Sequence, residues 1–77
     1  MKEQIVTILT ELRPEFDFTH DGVDFIEEGM LDSFDIVSLV DELESHFGIK
    51  IQGIDVIPEN FSTLDKIETL LKKSGAA

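Results

Sequence analysis

The chain is short, acidic and free of cysteine. Its 77 residues carry 17 Asp and Glu against 6 Lys and Arg, a net charge of −11, and 42% of them are apolar. This length allows one domain with a thin core and little room for an enclosed active site. The charge excludes nucleic acid and anionic membranes as partners, because both would be repelled. The lack of cysteine excludes disulfides and thiolate metal sites.

The first segment is typical of an amphipathic helix followed by a long loop. Between Lys2 and Leu12, apolar residues recur at helical spacing, namely Ile5, Ile8, Leu9 and Leu12. Pro14 ends this helix, because the residue before a proline is pushed out of the helical region. The stretch from Glu15 to Leu31 has no clean period. We predict a long loop tied down by its aromatic side chains, and loops of this length are often functional.

The strongest helical pattern runs from about Ser33 to Phe47. Apolar residues three or four positions apart predict its core face, namely Val37, Val40, Leu43 and Phe47. A different face carries Phe34, Ser38, Asp41 and Ser45. Gly48 follows as the residue that stops the helix.

The last third of the chain predicts one short helix and one longer helix. Residues Asp55 to Ile57 form the short helix, which Pro58 closes. Ser62 and Asp65 then make a capping box at the start of the last helix, whose apolar residues are Leu64, Ile67, Leu70 and Leu71. Lys72 and Lys73 lie in its last turn, where the helix dipole favours cations. The expected core joins the second helix to Ile5, Leu9, Leu64 and Ile67.

These elements predict an all-α fold for residues 1–77 as a single domain. It is a small four-helix bundle with three main helices, one short helix and a long loop between the first two main helices. Between Arg13 and Lys50 there is no Lys or Arg, whereas acidic residues are frequent. This window is a solubilising surface, a docking face for basic patches on partners, or both.

Ser33 is the candidate functional residue, and its immediate sequence alone is ambiguous. It lies between a glycine-bearing loop and the second helix, with Asp32 before it and Asp35 two positions after it. Ser and Asp are both preferred helix N-caps, so an Asp-Ser pair at a helix start is by itself most simply a cap.

The wider order of residues resembles the acyl carrier and peptidyl carrier protein family. The family signature is a glycine, then Asp-Ser-hydrophobic, opening a helix that ends in Phe-Gly. Here the matching residues are Gly29, Asp32-Ser33-Phe34 and Phe47-Gly48, followed by Ile51, Pro58-Glu59-Asn60-Phe61 and Thr63-Leu64. The resemblance covers nearly the whole chain, up to Leu71. It implies a bundle of the acyl carrier type. Since no apolar run approaches the roughly 20 residues that span a membrane, we expect a cytoplasmic protein that does not insert into membranes. No Ser-His-Asp or paired-carboxylate spacing supports catalysis, so we expect a monomer that is not an enzyme.

The resemblance also implies a cofactor. Ser33 would carry a 4′-phosphopantetheine arm that a phosphopantetheinyl transferase moves from coenzyme A, with Mg²⁺ at the transferase. The phosphodiester would be an anion at a helix N-terminus, where free N–H groups favour it. The thiol of the arm would hold an acyl or aminoacyl group as a thioester. Asp32 would orient Ser33 or contact the transferase Mg²⁺, or it would act only as the N-cap.

The same resemblance implies a partner-binding face on the second helix. Its residues are Phe34, Asp35, Ser38, Asp41 and Glu44. The expected partners are the transferase, an acyl- or aminoacyl-activating enzyme and a downstream synthase or transferase. Members that serve fatty acid biosynthesis usually carry Leu, Glu and Met where this chain has Phe34, Ser38 and Asp41. With the Pro-Glu-Asn-Phe run, these departures are more similar to stand-alone carriers of amino-acid-activating enzymes, including D-alanine carriers.

Two functions of other classes are also consistent with parts of the sequence. Residues 17–28 partly match a calcium-binding EF-hand loop, with Asp17, Asp21, Gly22 and Glu28 at the expected positions. Thr19 and Asp24 depart from that pattern. The other alternative is an acidic interaction module without an arm, for example an inhibitor that occupies a basic groove.

Overall fold

The computed structural model describes residues 1–20 and 22–76, and within these ranges it contains α-helices and 3₁₀ turns but no β-strand. The helices are α1 (Lys2–Leu12), α2 (Ser33–Phe47) and α3 (Leu64–Lys73). Helix α1 packs against both α2 and α3. The all-α fold and the three main helices are therefore confirmed. Among the described residues, no helix is long and apolar enough to cross a membrane.

The short third helix is replaced by two 3₁₀ turns, at Gly53–Asp55 and Pro58–Phe61. The prediction of a helix from Asp55 to Ile57 was wrong, because this segment is too short to repeat an α-helical hydrogen bond and closes i to i+3 bonds instead. Pro58 begins the second turn and does not close the first. This position suits proline, since a first helical residue needs no N–H donor.

Helix α2 has the predicted bounds but not the predicted core face. Asp32 is its N-cap, and Gly48 ends it in the left-handed conformation with φ of 63°. The buried apolar residues are Ile36, Leu39 and Leu43. The core position predicted for Val37 was wrong, because that side chain is 66% exposed. Val40 and Phe47, also predicted for the core face, pack against the core but are only partly buried.

The long loop before α2 is held by aromatic side chains, as predicted. Phe18 and Phe25 are fully buried, and their rings meet edge to face with centroids 5.1 Å apart. The backbone N–H of Phe25 donates to the Ser62 carbonyl at 2.6 Å. The Phe25 carbonyl accepts from the N–H of Met30 at 2.8 Å. Phe25 thus ties the loop both to the segment before α3 and to the turn that leads into α2.

Helix α3 completes the core but begins with a different cap. Its N-cap is Thr63, whose side-chain oxygen accepts from the Lys66 N–H at 3.1 Å. The predicted capping box of Ser62 with Asp65 was wrong, because the Ser62 hydroxyl donates to the Glu59 carbonyl at 2.8 Å. The predicted core partners of α2 are confirmed as buried, namely Ile5, Leu9, Leu64 and Ile67.

Candidate functional site

The turn before α2 presents Ser33 to solvent. Met30 and Leu31 are buried, and their N–H groups both donate to the Phe25 carbonyl, at 2.8 and 3.2 Å. Asp32 and Ser33, which follow directly, are exposed. Ser33 is the first residue of α2. Its hydroxyl therefore lies outside the core at a helix N-terminus, on a backbone that buried residues fix from the preceding side.

A capping box fixes the backbone on the other side of Ser33. The Asp32 carboxylate accepts from the Asp35 N–H at 3.0 Å, and the Asp35 carboxylate accepts from the Asp32 N–H at 3.0 Å. The reciprocal bonds satisfy two N–H groups that a helix start would otherwise leave free. Ser33 and Phe34 are the two residues enclosed by this box, so their positions are set by it.

The N-cap role considered for Asp32 is present in this geometry. The N–H of Asp35 is the largest cause that lowers the pKa of the Asp32 carboxyl, and the N–H of Phe34 acts in the same direction. Both bonds favour the ionised form. The residue directly before Ser33 thus carries a carboxylate that the helix start keeps ionised. The other role expected for Asp32, orientation of Ser33 or contact with a transferase Mg²⁺, stays a prediction.

Arg13 belongs to this site, and the sequence analysis did not identify it. Its Nη1 donates to Asp35 Oδ2 at 3.0 Å, and its Nε donates to Glu15 Oε2 at 3.0 Å. The contact with Asp35 joins residues 22 positions apart, so no local pattern predicts it. One signal was available, since Arg13 is the only Lys or Arg between Lys2 and Lys50.

Four exposed residues in the first half of α2 share one side of the helix, which we name the outer face of α2. It consists of Phe34, Val37, Ser38 and Asp41. Phe34 is 83% exposed, so a core role for this aromatic ring is excluded. Val37 was assigned to the core from its spacing, although it also lies three residues after Phe34 and four before Asp41, which is the spacing of a shared face.

Two of the residues expected to contact partners have other uses in the structure. The Asp35 side chain is only 11% exposed, and its Oδ2 accepts from both Arg13 and the Asp32 N–H. The Glu44 side chain accepts from the Ile51 N–H at 2.9 Å and is part-buried. Both carboxylates thus make internal hydrogen bonds that support α2 and its connections, and their expected contact with partners stays a prediction.

The loop that partly matches an EF-hand uses its carboxylates for local turns. Asp24 Oδ1 accepts from the N–H groups of Ile26 and Glu27, at 3.0 and 2.9 Å. Asp17 accepts from the N–H of Thr19 and pairs with His20. Within residues 1–20 and 22–76, no group of three or more His, Cys, Asp or Glu is placed to hold a metal ion. Asp21, the fifth position of that pattern, lies outside the described residues.

Comparison with known proteins decides the family. A family model described as a phosphopantetheine attachment site matches residues 4–71. The chain belongs to this family. It is also 37% identical over 68 residues to a D-alanyl carrier protein of Lactococcus lactis subsp. cremoris strain MG1363, and the match covers 87% of this chain and 86% of that protein.

Two further relatives are also D-alanyl carrier proteins. The D-alanyl carrier proteins of Lactococcus lactis subsp. cremoris strain SK11 and subsp. lactis strain IL1403 are each 37% identical over 68 residues, with the same coverage. Since the family model spans most of α1, all of α2 and most of α3, the chain is a carrier protein of this family, and its cofactor is covalently attached 4′-phosphopantetheine.

The residues at the start of α2 fit this cofactor. An arm on a phosphodiester requires an exposed hydroxyl and an environment that accepts an anion. Ser33 supplies an exposed hydroxyl on the first residue of a 15-residue helix. The positive end of the helix dipole attracts the phosphodiester anion. This attraction offsets the repulsion between the phosphodiester and the negative charge of Asp32. When bound, the arm supplies the thiol on which cargo is held as a thioester.

Proposed function

We propose that Ser33 is the residue that bears the 4′-phosphopantetheine arm and that the cargo is D-alanine. The observation that carries the attachment site is the exposed hydroxyl of Ser33 inside the Asp32–Asp35 capping box, in a chain whose family model describes an attachment site. The cargo is suggested by the D-alanyl carrier relatives, which are 37% identical over most of the chain.

Loading is a phosphoryl-group transfer for which this chain supplies only the nucleophile. The Ser33 oxygen forms a bond to the β-phosphorus of coenzyme A, the pyrophosphate bond breaks, and adenosine 3′,5′-bisphosphate leaves. In this scheme the hydroxyl proton passes to a base that the transferase supplies. We therefore propose no catalytic activity for the chain itself.

A small polar cargo suits the core of this protein. Leu39, Leu43 and Phe61 are fully buried together with the aromatic residues of the loop. An aminoacyl group carries a charged amine, and burial of that amine in an apolar core would be costly. D-Alanine on the arm therefore stays outside the core, whereas a long acyl chain would have to displace buried side chains.

Charge and exposure indicate how partners are recognised. The net charge of −11 and the exposed Asp41 on the outer face of α2 favour a partner enzyme with a basic surface. That surface would surround an apolar pocket in the partner for Phe34 and Val37. We propose as partners the transferase, a D-alanine-activating enzyme and a downstream D-alanyl acceptor enzyme. The protein would act in the cytoplasm as a monomer formed by one carrier domain.

The attachment site is tested by mass spectrometry. The purified apo protein is incubated with coenzyme A, Mg²⁺ and a phosphopantetheinyl transferase of broad specificity. One phosphopantetheine should be added to the wild type and to Ser45→Ala, whose serine is also exposed on α2 but lies outside the outer face of α2. Ser33→Ala should remain unmodified. Addition to Ser33→Ala, or no addition to the wild type by a transferase that loads another carrier in parallel, would contradict the proposed site.

The cargo is tested on the loaded protein. In two reactions the holo form is incubated with ATP, a D-alanine-activating ligase and either D-alanine or L-alanine. In a third reaction it is incubated with an octanoyl donor and the synthetase for that donor. With D-alanine, we expect formation of a thioester that hydroxylamine can cleave. Thioester formation with L-alanine or with the octanoyl donor should be much slower. Octanoyl transfer at an equal or higher rate would favour fatty-acid carriage.

A further inference from the structure

The Arg13 side chain joins the end of α1 to the start of α2. Its Nη1 lies 3.0 Å from Asp35 Oδ2, and its Nε lies 3.0 Å from Glu15 Oε2. The guanidinium carbon lies 5.4 Å from the centroid of the Phe16 ring. Three contacts in different directions hold a planar, permanently charged group in one orientation. The side chain is 30% exposed, so this arrangement faces the protein more than solvent.

Asp35 connects Arg13 to the residue before Ser33. The Oδ2 atom that accepts from Arg13 also accepts from the Asp32 N–H at 3.0 Å. The Asp35 N–H in turn donates to Asp32 Oδ1 at 3.0 Å. Arg13 therefore determines where the Asp35 carboxylate lies, and that carboxylate helps to determine the backbone at Asp32 and Ser33.

Among the described ion pairs, Arg13 is the cation that pairs with the Asp35 carboxylate. Without it, Asp35 would keep a carboxylate that is only 11% exposed and has lost its opposite charge. Such a group is expected to turn toward water, because an unpaired charge near the interior is costly. Its bond to the Asp32 N–H would be lost in that rotation, and the first turn of α2 would fray at Ser33.

We propose that Arg13 is a positioning residue for loading of the arm, and that it acts through Asp35 on the Asp32–Ser33 backbone. This inference rests on the proposed attachment at Ser33. Loading requires the serine oxygen to stay aligned with the phosphorus of coenzyme A, and small displacements of a reacting atom slow such a step strongly. Because Arg13 acts from inside the carrier, its loss should lower kcat and leave KM nearly unchanged.

The test measures kcat and KM of loading by a phosphopantetheinyl transferase at a temperature where circular dichroism shows every variant folded. Arg13→Gln should lower kcat about tenfold, as expected for the loss of one hydrogen bond between charged groups. Arg13→Lys should recover part of the loss, since it restores the charge but not the planar fork. Lys72→Gln is the matched control, because it also removes one positive charge but from the last turn of α3.

A double-mutant cycle with Asp35→Asn tests the route of the effect. If Arg13 acts through Asp35, the double variant Arg13→Gln/Asp35→Asn should load no more slowly than the slower single variant. Independent, multiplying losses would overturn the proposal. If Arg13→Gln is poorly folded, the same cycle with Arg13→Lys carries the test.

The remaining outcomes separate this inference from the proposed function. If the wild type is not loaded, or Ser33→Ala is loaded, the attachment site itself is wrong. If the wild type is loaded at Ser33 and Arg13→Gln has the same kcat, only the role of Arg13 is wrong. A raised KM with unchanged kcat would also overturn it, because that result indicates direct contact between Arg13 and the transferase.

Discussion

Phe25 is expected to stabilise the loop before α2 and the turn that leads into this helix. The substitution Phe25→Leu keeps the side chain apolar and removes the aromatic ring. The ring is fully buried and meets Phe18 edge to face at a centroid distance of 5.1 Å. The same substitution at Phe34, which is 83% exposed, provides the matched control.

The expected loss of stability follows from two contributions. The edge-to-face pair contributes about 0.5–1.5 kcal/mol beyond area burial, and the space left by the ring costs about 1 kcal/mol. Phe25→Leu should therefore lower the free energy of unfolding by about 1.5–2.5 kcal/mol. A chain of 77 residues is stable by only about 4–12 kcal/mol. The melting temperature should fall by about 6–20 °C, and Phe34→Leu should change the free energy of unfolding by less than about 0.5 kcal/mol.

The assay is urea denaturation followed by far-ultraviolet circular dichroism, with the slope m compared between variants. A lower midpoint at unchanged m for Phe25→Leu would show loss of stability without a change in the surface exposed on unfolding. Equal midpoints for Phe25→Leu and Phe34→Leu would refute the reasoning, because they would mean that the Phe25 ring is not packed. A loss for Phe34→Leu alone would place that ring in the core.

Three further comparisons between variants test other features. Gly48→Ala should destabilise the protein by about 1 kcal/mol, because φ at Gly48 is 63°. Gly53→Ala should be nearly neutral in the same denaturation assay, because Gly53 has no positive φ and open space where the Cβ would lie. Lys73→Met should lower the melting temperature more than Lys72→Met, because the partner carboxylate of Lys73 is 12% exposed and 2.9 Å away, whereas Lys72 forms a longer, more exposed pair. Asp32→Asn should be less stable than the wild type at neutral pH. Because the folded pKa of Asp32 is lowered, the wild-type advantage is present above the unfolded pKa and lost as the pH falls through the folded pKa, so unfolding curves of the two proteins should converge in acid. A difference that persists at low pH would contradict the assigned cause.

Local signals in the sequence were sufficient to predict the helix that carries Ser33. Asp32 before the helix and Gly48 after it are a cap and a stop whose chemistry acts within a few residues, and both bounds of α2 were confirmed. The start of α3 was off by one cap residue. Ser62 and Thr63 can both cap a helix, and the choice depended on whether the Ser62 hydroxyl found another acceptor, which it did in the Glu59 carbonyl.

Contacts between distant parts of the chain could not be predicted in this way. The bond from Arg13 to Asp35 exists only because α1 packs against α2, and nothing in the sequence around either residue indicates the other. For the same reason Asp35 was expected to face partners. Its position in the first turn of a helix is compatible with exposure or with capping, and only the packing of α1 distinguishes the two.

Val37 shows why periodicity misassigned one face of α2, and the error bears on function. The apolar pattern of this helix fits two faces about one residue apart, one with Ile36 and Leu39 and the other with Val37 and Val40. Periodicity shows that a residue is apolar on a helical face, but it does not show whether that face meets the core of the same chain or another protein. A helix that only covers its own core needs one apolar stripe. The exposed Val37, one turn after the exposed Phe34, is therefore consistent with the partner contact that we propose for the outer face of α2.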